Sequence, residues 1–488
     1  MFKRLFVKTL FFAVIVVMTN LLRQFVGPAS AVPSPGEIDQ FVLQEMMQKE
    51  IPGLSIAVVR NGKVIYIKGY GFADSASRSP AAPQTVYLIA SLSKQFTAAA
   101  VMLLVQDGKL GLDEKIAPLL PQVTLPKSWD RLTVRELLNQ TTGLVELDDY
   151  VDLDKPDAAT PQSIIDSIKG QPLAFTSGSA FKYSNTNFYL AAKIVEAVSG
   201  ESFYTFMQRR LFGPLAMNST RMNNPAVANL DRATGYLLYS GKVSADFTPI
   251  APVFLLGCGG IETNVVDLAR WDAALYRNSP LTAQSKEAMW SPPALSGQGN
   301  SDYGFGWLVE KDSGHRLIWH NGALPGVTCW MGRYVDDKLT VIVLSNLRNI
   351  DQPIQSVNDF SELGKGIAGL YVPAVMPLSV VKPSSKATIS PKILAICKKA
   401  IADVYSGQPD PAMYTSDTVK ALFPDALNQT SQLFKSLGPE QSFEPLFQKS
   451  ESGMIELTCR ITFGSTKLVY MFVLTPDTNL IAGIMPQN

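Results

Sequence analysis

Two β-branched runs that meet at Asn61-Gly62 constrain the fold of this chain more than any other segment. Residues 53–74 read GLSIAVVRNGKVIYIKGYGFAD, and Asn-Gly between two such runs is typical of the turn of a β-hairpin. Comparable strand-like runs return much later, at 303–309, 316–322 and 327–346. Because helical patterns fill the chain between them, this order predicts an antiparallel sheet built from both ends of the region.

The helical patterns have recognisable starts and stops. We expect a helix from Ser91 to Asp107 that ends at Gly108, and an amphipathic helix over residues 185–200. Shorter helical segments are expected at 133–144, 202–212 and 264–278. The predicted fold class is therefore α/β-mixed, with an antiparallel sheet flanked by helices and a helical subdomain beside it.

Domain boundaries follow from the length of the chain and from a proline-rich segment. The 488 residues are too many for one ordinary domain. Residues 372–391 contain four prolines and little periodicity, and we interpret them as a linker. A helical pattern and then strand-like runs follow, which predicts a small α+β domain over residues 392–488. The main domain then spans residues 32–371.

Residues 1–31 have the pattern of an export signal. Basic residues precede an apolar run from Leu10 to Met18, and Ala29-Ser30-Ala31 fits a small-residue cleavage site. The apolar run is shorter than the roughly 20 residues of a membrane span. We therefore expect an exported protein, periplasmic or secreted. The alternative is an uncleaved N-terminal anchor, and membrane association is expected only in that case.

Charge and histidine content argue against two classes of function. The 43 basic and 42 acidic residues balance, so the chain lacks the basic surface that marks nucleic-acid binding. His315 and His320 are the only histidines, and no carboxylate motif accompanies them. Zinc hydrolases commonly use two or three histidine ligands, so no metal site is expected. There is also no Gly-x-Ser-x-Gly segment to join either histidine in a catalytic triad.

The four cysteines leave two alternatives open. An exported protein can form disulfides, and pairing Cys258 with Cys329 and Cys397 with Cys459 would place one bridge in each domain. Buried free thiols fit the same sequence.

The pattern Ser-x-x-Lys, which can pair a nucleophile with its base, occurs three times. The pairs are Ser91/Lys94, Ser179/Lys182 and Ser379/Lys382. The third pair lies in the linker and the second in an extended or turn segment, where this spacing does not put two side chains on one face. Only the first falls at a predicted helix start, where residues three apart are neighbours.

The helix start also supplies the environment that a nucleophile needs. The positive end of the helix dipole favours a developing anion at Ser91, and the apolar neighbours favour a neutral Lys94 that accepts its proton. The alternative for this pair is an ordinary helix cap beside a solvated lysine.

Five segments between roughly residues 35 and 350 decide between these alternatives, because together they resemble one family. They are 88–116 with the first Ser-x-x-Lys, 132–144, 181–200 with Tyr183-Ser184-Asn185, 259–271, and 319–326 with His320-Asn321-Gly322. Their order is similar to that of the serine β-lactamase and penicillin-binding protein family, in particular its class C β-lactamase, D-alanyl-D-alanine carboxypeptidase and esterase branch. Each motif alone is weak, but the ordered set is specific.

The resemblance implies roles for the residues of the first and third segments. Ser91 would be the acylated nucleophile and Lys94 its proton acceptor. Tyr183 would be a second proton-transfer group, provided that nearby cations stabilise its phenolate. Asn185 would bind Lys94 and the substrate through hydrogen bonds.

The resemblance also places His320, Asn321 and Gly322 on the strand that lines the site. Many family members have Lys-Thr-Gly or Lys-Ser-Gly there, and that lysine suits a substrate carboxylate. His320 is expected to be only partly charged near neutral pH, which weakens the case for a penicillin-type substrate. The backbone N–H groups of Ser91 and Ala323 would form the oxyanion hole, and Gly322 would allow a close approach.

The sequence therefore predicts an exported serine hydrolase that acts through an acyl-enzyme, without metal or organic cofactor. Its substrate would be a small molecule or peptide: an ester, an amide or a D-amino-acid peptide, with a true β-lactamase or D-Ala-D-Ala carboxypeptidase as the alternative. A non-catalytic cell-wall ligand-binding protein of the same fold is the alternative from another class. The small C-terminal domain lies outside the resemblance, and it would either shape the substrate entrance or bind a partner.

Overall fold

A computed structural model describes residues 32–150, 160–223, 231–246, 252–297, 299–350, 358–377, 390–423, 425–451, 454–464 and 466–486. The strands in chain order are β1 (Gly53–Arg60), β2 (Lys63–Asp74), β3 (Ser79–Pro80), β4 (Tyr87–Leu88), β5 (Arg221–Met222), β6 (Tyr236–Tyr239), β7 (Lys242–Ala245), β8 (Ile261–Thr263), β9 (Leu308–Asp312), β10 (His315–Leu324), β11 (Val327–Tyr334), β12 (Leu339–Ser345), β13 (Leu347–Asn349), β14 (Glu440–Glu451), β15 (Met454–Phe463), β16 (Thr466–Leu474) and β17 (Ile481–Pro486). The α-helices are α1 (Pro35–Gln48), α2 (Ser93–Gln106), α3 (Ile116–Leu119), α4 (Val134–Leu138), α5 (Pro161–Ile168), α6 (Asn185–Ser199), α7 (Phe203–Met207), α8 (Val265–Leu275), α9 (Ala283–Met289), α10 (Asn358–Tyr371), α11 (Pro391–Ser406), α12 (Ser416–Leu422) and α13 (Asp425–Leu437).

A seven-stranded antiparallel sheet forms the centre of the main domain. The strand order is β3-β2-β1-β12-β11-β10-β9, so strands from both ends of the region meet between β1 and β12. The predicted hairpin is confirmed, because Arg60 pairs with Lys63 across the turn. Asn61 and Gly62 have the left-handed φ values of 53° and 70° that this two-residue turn requires. The predicted mixed α/β fold is confirmed as well.

Successive residues of β1 face two different cores. Ala57 and Val59 pack in the core that contains α2, α6 and α8. Ile56 and Val58 point the other way, into the core that contains α1 and α10. Side chains alternate across a strand, so the sheet is covered by helices on both faces. Helix α2 is buried from Ser93 to Leu104 and forms the centre of the first core.

The helix signals in the sequence are largely confirmed. Helix α6 ends at Gly200, whose φ of 71° is left-handed. The side chain of Ser202 caps α7 by accepting a hydrogen bond from the backbone N–H of Thr205. The helix expected to begin at Ser91 begins instead at Ser93, because residues 90–92 form a 3₁₀ turn before it.

One predicted strand is displaced along the chain. Residues 303–307 form an irregular turn, and strand β9 begins only at Leu308. Gly306 has a φ of 73°, and a Cβ atom at this position would lie 2.6 Å from the carbonyl oxygen of Lys94. The segment passes so close to α2 that only glycine fits, and this close contact delays the start of the strand.

The C-terminal region has a sheet and a core of its own. Strands β14-β15-β16-β17 form an antiparallel meander that packs against α11, α12 and α13. Arg460 of β15 forms an ion pair with Asp39 of α1, with an Nη2–Oδ2 distance of 2.9 Å. Because α1 covers the sheet face opposite α2, this contact lies away from Ser91. Most of the predicted linker lies outside the described residues, so the division into domains stays a prediction.

The four cysteines test the prediction that left disulfides and free thiols open. All four cysteines are buried free thiols, so the alternative of one disulfide per domain is wrong. Cys329 instead donates its S–H to the carbonyl oxygen of Ile89 at 3.0 Å.

Residues 1–31 and the pair Ser379/Lys382 lie outside the described residues. Within the part of the chain that the structure describes, no helix is both long and apolar enough to cross a bilayer.

Candidate active site

Ser91 lies in the 3₁₀ turn that leads into α2, against the edge of β10. Ala90 precedes it with a φ of 46°, a left-handed conformation that non-glycine residues adopt only where the surroundings enforce it. Gly322 of β10 faces this turn: a Cβ atom there would lie 2.4 Å from the carbonyl oxygen of Ile89 and 3.0 Å from the backbone nitrogen of Ser91. The predicted close approach at Gly322 is therefore present, and it brings the strand to the serine.

Lys94 is fully buried one helical turn after Ser91. Its Nζ is 3.0 Å from Oγ of Ser91, 2.7 Å from Oδ1 of Asn185 and 2.8 Å from the carbonyl oxygen of Cys258. Burial lowers the pKa of Lys94 below its ordinary value, although the nearby Cys258, Glu146 and Asp148 oppose this shift. The carbonyl oxygens of Asn185 and Cys258 can only accept, so they hold two N–H groups of Lys94. In the neutral amine, the remaining lone pair then faces the Ser91 hydroxyl.

Tyr183 precedes α6 and closes the site above Lys94. The Nζ atom of Lys94 is 4.8 Å from the centroid of the tyrosine ring. Burial raises the pKa of the Tyr183 hydroxyl, a hydrogen bond with Ser91 opposes this, and the charges of Glu146 and Asp148 raise it further. The surroundings therefore favour the phenol, and the expected stabilisation of a phenolate by nearby cations is outweighed by burial.

Asn185 is the first residue of α6 and connects Lys94 to two carboxylates that sequence reasoning missed. Its Oδ1 accepts from Lys94, and its Nδ2 donates to Oδ2 of Asp148 at 3.1 Å. Its backbone N–H donates to both oxygens of Glu146, at 3.0 and 2.9 Å. A carboxylate at this helix N-terminus is favoured by the helix dipole. The acidic run after Gly143 was the available signal, but nothing in it showed which carboxylates reach the site.

His320 is buried, with 2% of its surface exposed. Its Nε2 is 3.0 Å from the hydroxyl oxygen of Tyr303, and its Nδ1 is 2.5 Å from the carbonyl oxygen of Asn321. Burial lowers the pKa of His320 to about 3, the charge of Lys94 adds to this, and the hydrogen bond to Asn321 opposes it. The expectation of a partly charged His320 near neutral pH is therefore wrong, because the folded chain removes the ring from water.

The remaining predicted positions lie on the same strand or outside the site. Asn321 and Ala323 of β10 pair with Trp330 and Thr328 of β11. Ser179 and Lys182 lie in an irregular segment, as expected. His315 lies at the other end of β10, where its Nδ1 is 2.7 Å from Asp337. The structure thus brings together Ser91, Lys94, Tyr183, Asn185, His320 and Gly322.

The site combines a serine in the turn before a central helix, a buried lysine on that helix, a tyrosine and an asparagine where a second helix begins, and a strand edge. This arrangement defines the class of serine hydrolases with a β-lactamase or transpeptidase fold. The family model "Beta-lactamase" matches residues 38–360. The chain belongs to the beta-lactamase family, and the resemblance found in the sequence is confirmed.

Relatives in sequence carry the names of penicillin-recognising and peptide-cleaving proteins. Penicillin-binding protein 4* of Bacillus subtilis (strain 168) is 32% identical over 312 residues, which cover 60% of this chain and 67% of that protein. The D-aminopeptidase of Brucella canis is 31% identical over 303 residues, which cover 60% of this chain and 56% of that protein. The chain therefore spans little more than half the length of the D-aminopeptidase.

Solved structures support the same fold. The octameric penicillin-binding protein homologue from Pyrococcus abyssi matches with a TM-score of 0.60 at 21% identity, over 91% of this chain and 97% of that chain. The D-amino acid amidase from Ochrobactrum anthropi SV3, complexed with D-phenylalanine, matches with a TM-score of 0.58 at 25% identity, over 70% of this chain and 97% of that chain.

Proposed function

We propose that this protein hydrolyses its substrate through an acyl-enzyme formed on Ser91. One observation carries the proposal: Nζ of Lys94 is 3.0 Å from Oγ of Ser91 while two carbonyl acceptors hold its other hydrogens. This geometry aims the basic lone pair of a neutral lysine at the serine proton. Burial, which lowers the pKa of Lys94, supports the neutral form.

In the proposed reaction, Lys94 and Tyr183 pass the serine proton to the leaving group. As Oγ of Ser91 bonds to the substrate carbonyl carbon, Lys94 takes the hydroxyl proton and the carbonyl electron pair moves to oxygen. The N–H groups of Ser91 and Ala323 would stabilise this oxyanion. When the bond to the leaving group breaks, Tyr183 donates its proton to that group and regains one from Lys94. Water then attacks the ester carbonyl carbon while Lys94 takes one of its protons. When the bond from that carbon to Oγ of Ser91 breaks, Tyr183 donates its proton to Oγ and regains one from Lys94, and the carboxylic acid product leaves.

Two features of the site favour a substrate with a free amino group over one with a carboxylate. The neutral His320 provides no positive charge where many family members have lysine. Glu146 and Asp148 lie close enough to influence the pKa of Lys94; burial raises the pKa of both carboxyl groups, and a cationic amino group of the substrate would favour their ionised forms. The names D-aminopeptidase and D-amino acid amidase among the relatives support the same choice. We therefore place amides and peptides of D-amino acids, and simple esters, ahead of β-lactams and D-Ala-D-Ala peptides.

The central test is covalent labelling of Ser91. A fluorophosphonate probe is expected to add its mass to the peptide that contains Ser91, and Ser91→Ala should abolish both the adduct and hydrolysis. Ser179→Ala, which changes the serine of another Ser-x-x-Lys pair, is the matched control and should label normally. The hydrolysis panel comprises a D-amino acid amide, a p-nitrophenyl ester, a D-Ala-D-Ala peptide and nitrocefin.

The possible outcomes separate the competing functions. Faster turnover of nitrocefin than of the amide would favour the β-lactamase alternative. A folded protein that no acylating probe labels would exclude the acyl-enzyme. The cell-wall-binding alternative would be supported if Ser91→Ala also kept the biological activity intact.

We also propose that the protein is exported, on the evidence of the basic and apolar pattern in residues 1–31. Expression of the full chain is expected to yield a protein outside the cytosol whose mass corresponds to a start at Val32. Deleting residues 2–18 should keep the protein in the cytosol. Recovery of the intact chain in the membrane fraction would instead support the uncleaved anchor.

A further inference from the structure

A buried tyrosine that the proposed mechanism does not use lies between the two sides of the site. Tyr303 is 1% exposed, and its hydroxyl oxygen is 3.0 Å from Nε2 of His320. Its ring is nearly perpendicular to those of Tyr183 and His320, with centroid distances of 5.9 and 5.6 Å. Tyr303 therefore connects the segment before α6 with strand β10.

The direction of the Tyr303–His320 hydrogen bond follows from the other ring nitrogen. The carbonyl oxygen of Asn321 can only accept, so Nδ1 of His320 carries the proton that points at it. Burial lowers the pKa of His320, which keeps the ring neutral. A neutral ring with its proton on Nδ1 has an acceptor at Nε2, so Tyr303 must be the donor.

Gln140 connects Tyr303 to the start of α6. It is fully buried, and its φ of 64° lies in the left-handed region that non-glycine residues rarely adopt. Its Oε1 accepts hydrogen bonds from the backbone N–H of Ser184, at 3.0 Å, and from the side chain of Asn187. The same amide acts on the Tyr303 hydroxyl, where it partly opposes the rise in pKa that burial causes. Among the described residues, Nε2 of Gln140 has no hydrogen-bond partner.

We propose that Tyr303 is a positioning residue that fixes His320 in its neutral Nδ1–H form and so holds the edge of β10 against Ser91. Gly322 and Ala323 follow His320 on this strand, and Gly322 is the residue that touches the turn of Ser91. Three titratable groups face His320: Lys94 from α2, Tyr183 from the segment before α6, and Tyr303 itself. The kinetic part of this inference rests on the proposed hydrolase function, but the tautomer of His320 does not.

The chain contains only two histidines, so nitrogen-15 NMR of labelled histidine can observe His320 directly. Wild-type His320 is expected to show a single Nδ1–H tautomer across neutral pH, and His320→Gln assigns the signal. In Tyr303→Phe the Nε2 atom loses its donor. The ring is then expected to exchange between tautomers, and its pKa to rise by about one unit, which corresponds to one lost hydrogen bond.

The variant Tyr303→Phe should lose activity as well as the single tautomer of His320. Tyr303→Phe is expected to lower kcat by about tenfold, equivalent to one neutral hydrogen bond, with little change in KM for uncharged substrates. Tyr189→Phe is the matched control: Tyr189 is 1% exposed on α6, and its hydroxyl has no hydrogen-bond partner among the described residues. This control should leave both the tautomer and the kinetics unchanged.

Two results would overturn the proposal. The first is found in the wild-type protein, without any variant: His320 carries its proton on Nε2, or it titrates near the ordinary pKa of about 6.5. The other is a folded Tyr303→Phe protein with the wild-type tautomer and kcat. If Ser91 is never acylated, the proposed function fails, whereas the tautomer measurement still decides the role of Tyr303.

Discussion

Replacing Lys94 with methionine is expected to lower kcat/KM by about 10³-fold, a typical contribution of a positioned general base. Methionine has a similar length and fills the buried site, but it cannot accept the proton of Ser91. It also leaves Oδ1 of Asn185 and the carbonyl oxygen of Cys258 without their donor, which should cost about 1–3 kcal/mol of stability. Thermal unfolding of the variant therefore has to accompany the kinetic measurement.

The pH dependence of activity is an independent test of Lys94 as the general base. A base must be deprotonated to act, so wild-type activity should fall as the pH drops through the pKa of Lys94. Because burial lowers this pKa from 10.5, the loss should occur well below the pH expected for an exposed lysine. The residual activity of Lys94→Met should lack this limb of the profile.

A matched control shows whether the loss of activity is specific to the buried Lys94 or follows from the removal of any nearby lysine. Lys182→Met changes a lysine next to Tyr183, in a Ser-x-x-Lys pair that the structure does not form into a site. This variant should keep kcat/KM within a factor of about two, as expected for a change at a partly exposed position outside the site. A folded Lys94→Met protein with wild-type kcat/KM would show that another group takes the serine proton.

The largest expected effect on stability comes from a buried ion pair remote from the nucleophile. Arg333 of β11 and Asp272 of α8 are each about 1% exposed, with an Nε–Oδ1 distance of 2.7 Å. The hydroxyl of Thr340 donates to the same carboxylate oxygen at 2.8 Å. The guanidinium lies 4.8 Å from the ring centroid of Tyr276 and 5.1 Å from that of Trp290.

Asp272→Ala is expected to lower the free energy of unfolding by about 3–5 kcal/mol, because it leaves the charge of Arg333 buried without a counter-ion. The double variant Asp272→Leu with Arg333→Met should recover much of this loss, since it removes both charges and restores apolar volume. Recovery in the double variant would separate the cost of an unpaired charge from a simple packing defect.

Tryptophan fluorescence during urea unfolding is the appropriate measurement. All six tryptophans lie between residues 129 and 330, so the signal reports the main domain and not the C-terminal region. Asp166→Ala is the control, because the side chains of Asp166 and Lys169 are 43% and 52% exposed and such a pair contributes less than about 1 kcal/mol. Equal midpoints for Asp272→Ala and Asp166→Ala would contradict the importance assigned to the buried pair.

Prediction from sequence succeeded where the signal was local. The hairpin at Asn61-Gly62 and the end of α6 at Gly200 depend on the conformations that asparagine and glycine tolerate, which are visible in a few residues. The prediction of a strand over 303–309 was wrong for its first five residues, because the turn at Gly306 passes close to the backbone of Lys94. That contact joins residues about two hundred positions apart, and no local pattern reports it.

In the candidate site, too, the residues that could be predicted are those whose signal is local in the sequence. Ser91 and Lys94 could be paired from sequence, because helical geometry makes residues three apart neighbours. Tyr183 and Asn185 required the resemblance of a whole ordered set of segments. Glu146, Asp148 and Tyr303 were missed, because each is an ordinary polar residue until the fold brings it to Asn185 or His320.

By itself, the sequence determined the mixed α/β order of elements and the pair that begins with Ser91, since turn residues and short spacing act along the chain. The resemblance of its ordered segments to known proteins indicated the family. The tertiary structure alone decided the direction in which each pKa shifts. Burial places Lys94 and His320 in a medium that disfavours charge, so the pKa of each is lowered, while the pKa of Tyr183 is raised for the same reason. Whether a side chain is a base, an acid or a neutral hydrogen-bonding group depends on how much water surrounds it, and only the packing of distant segments fixes that.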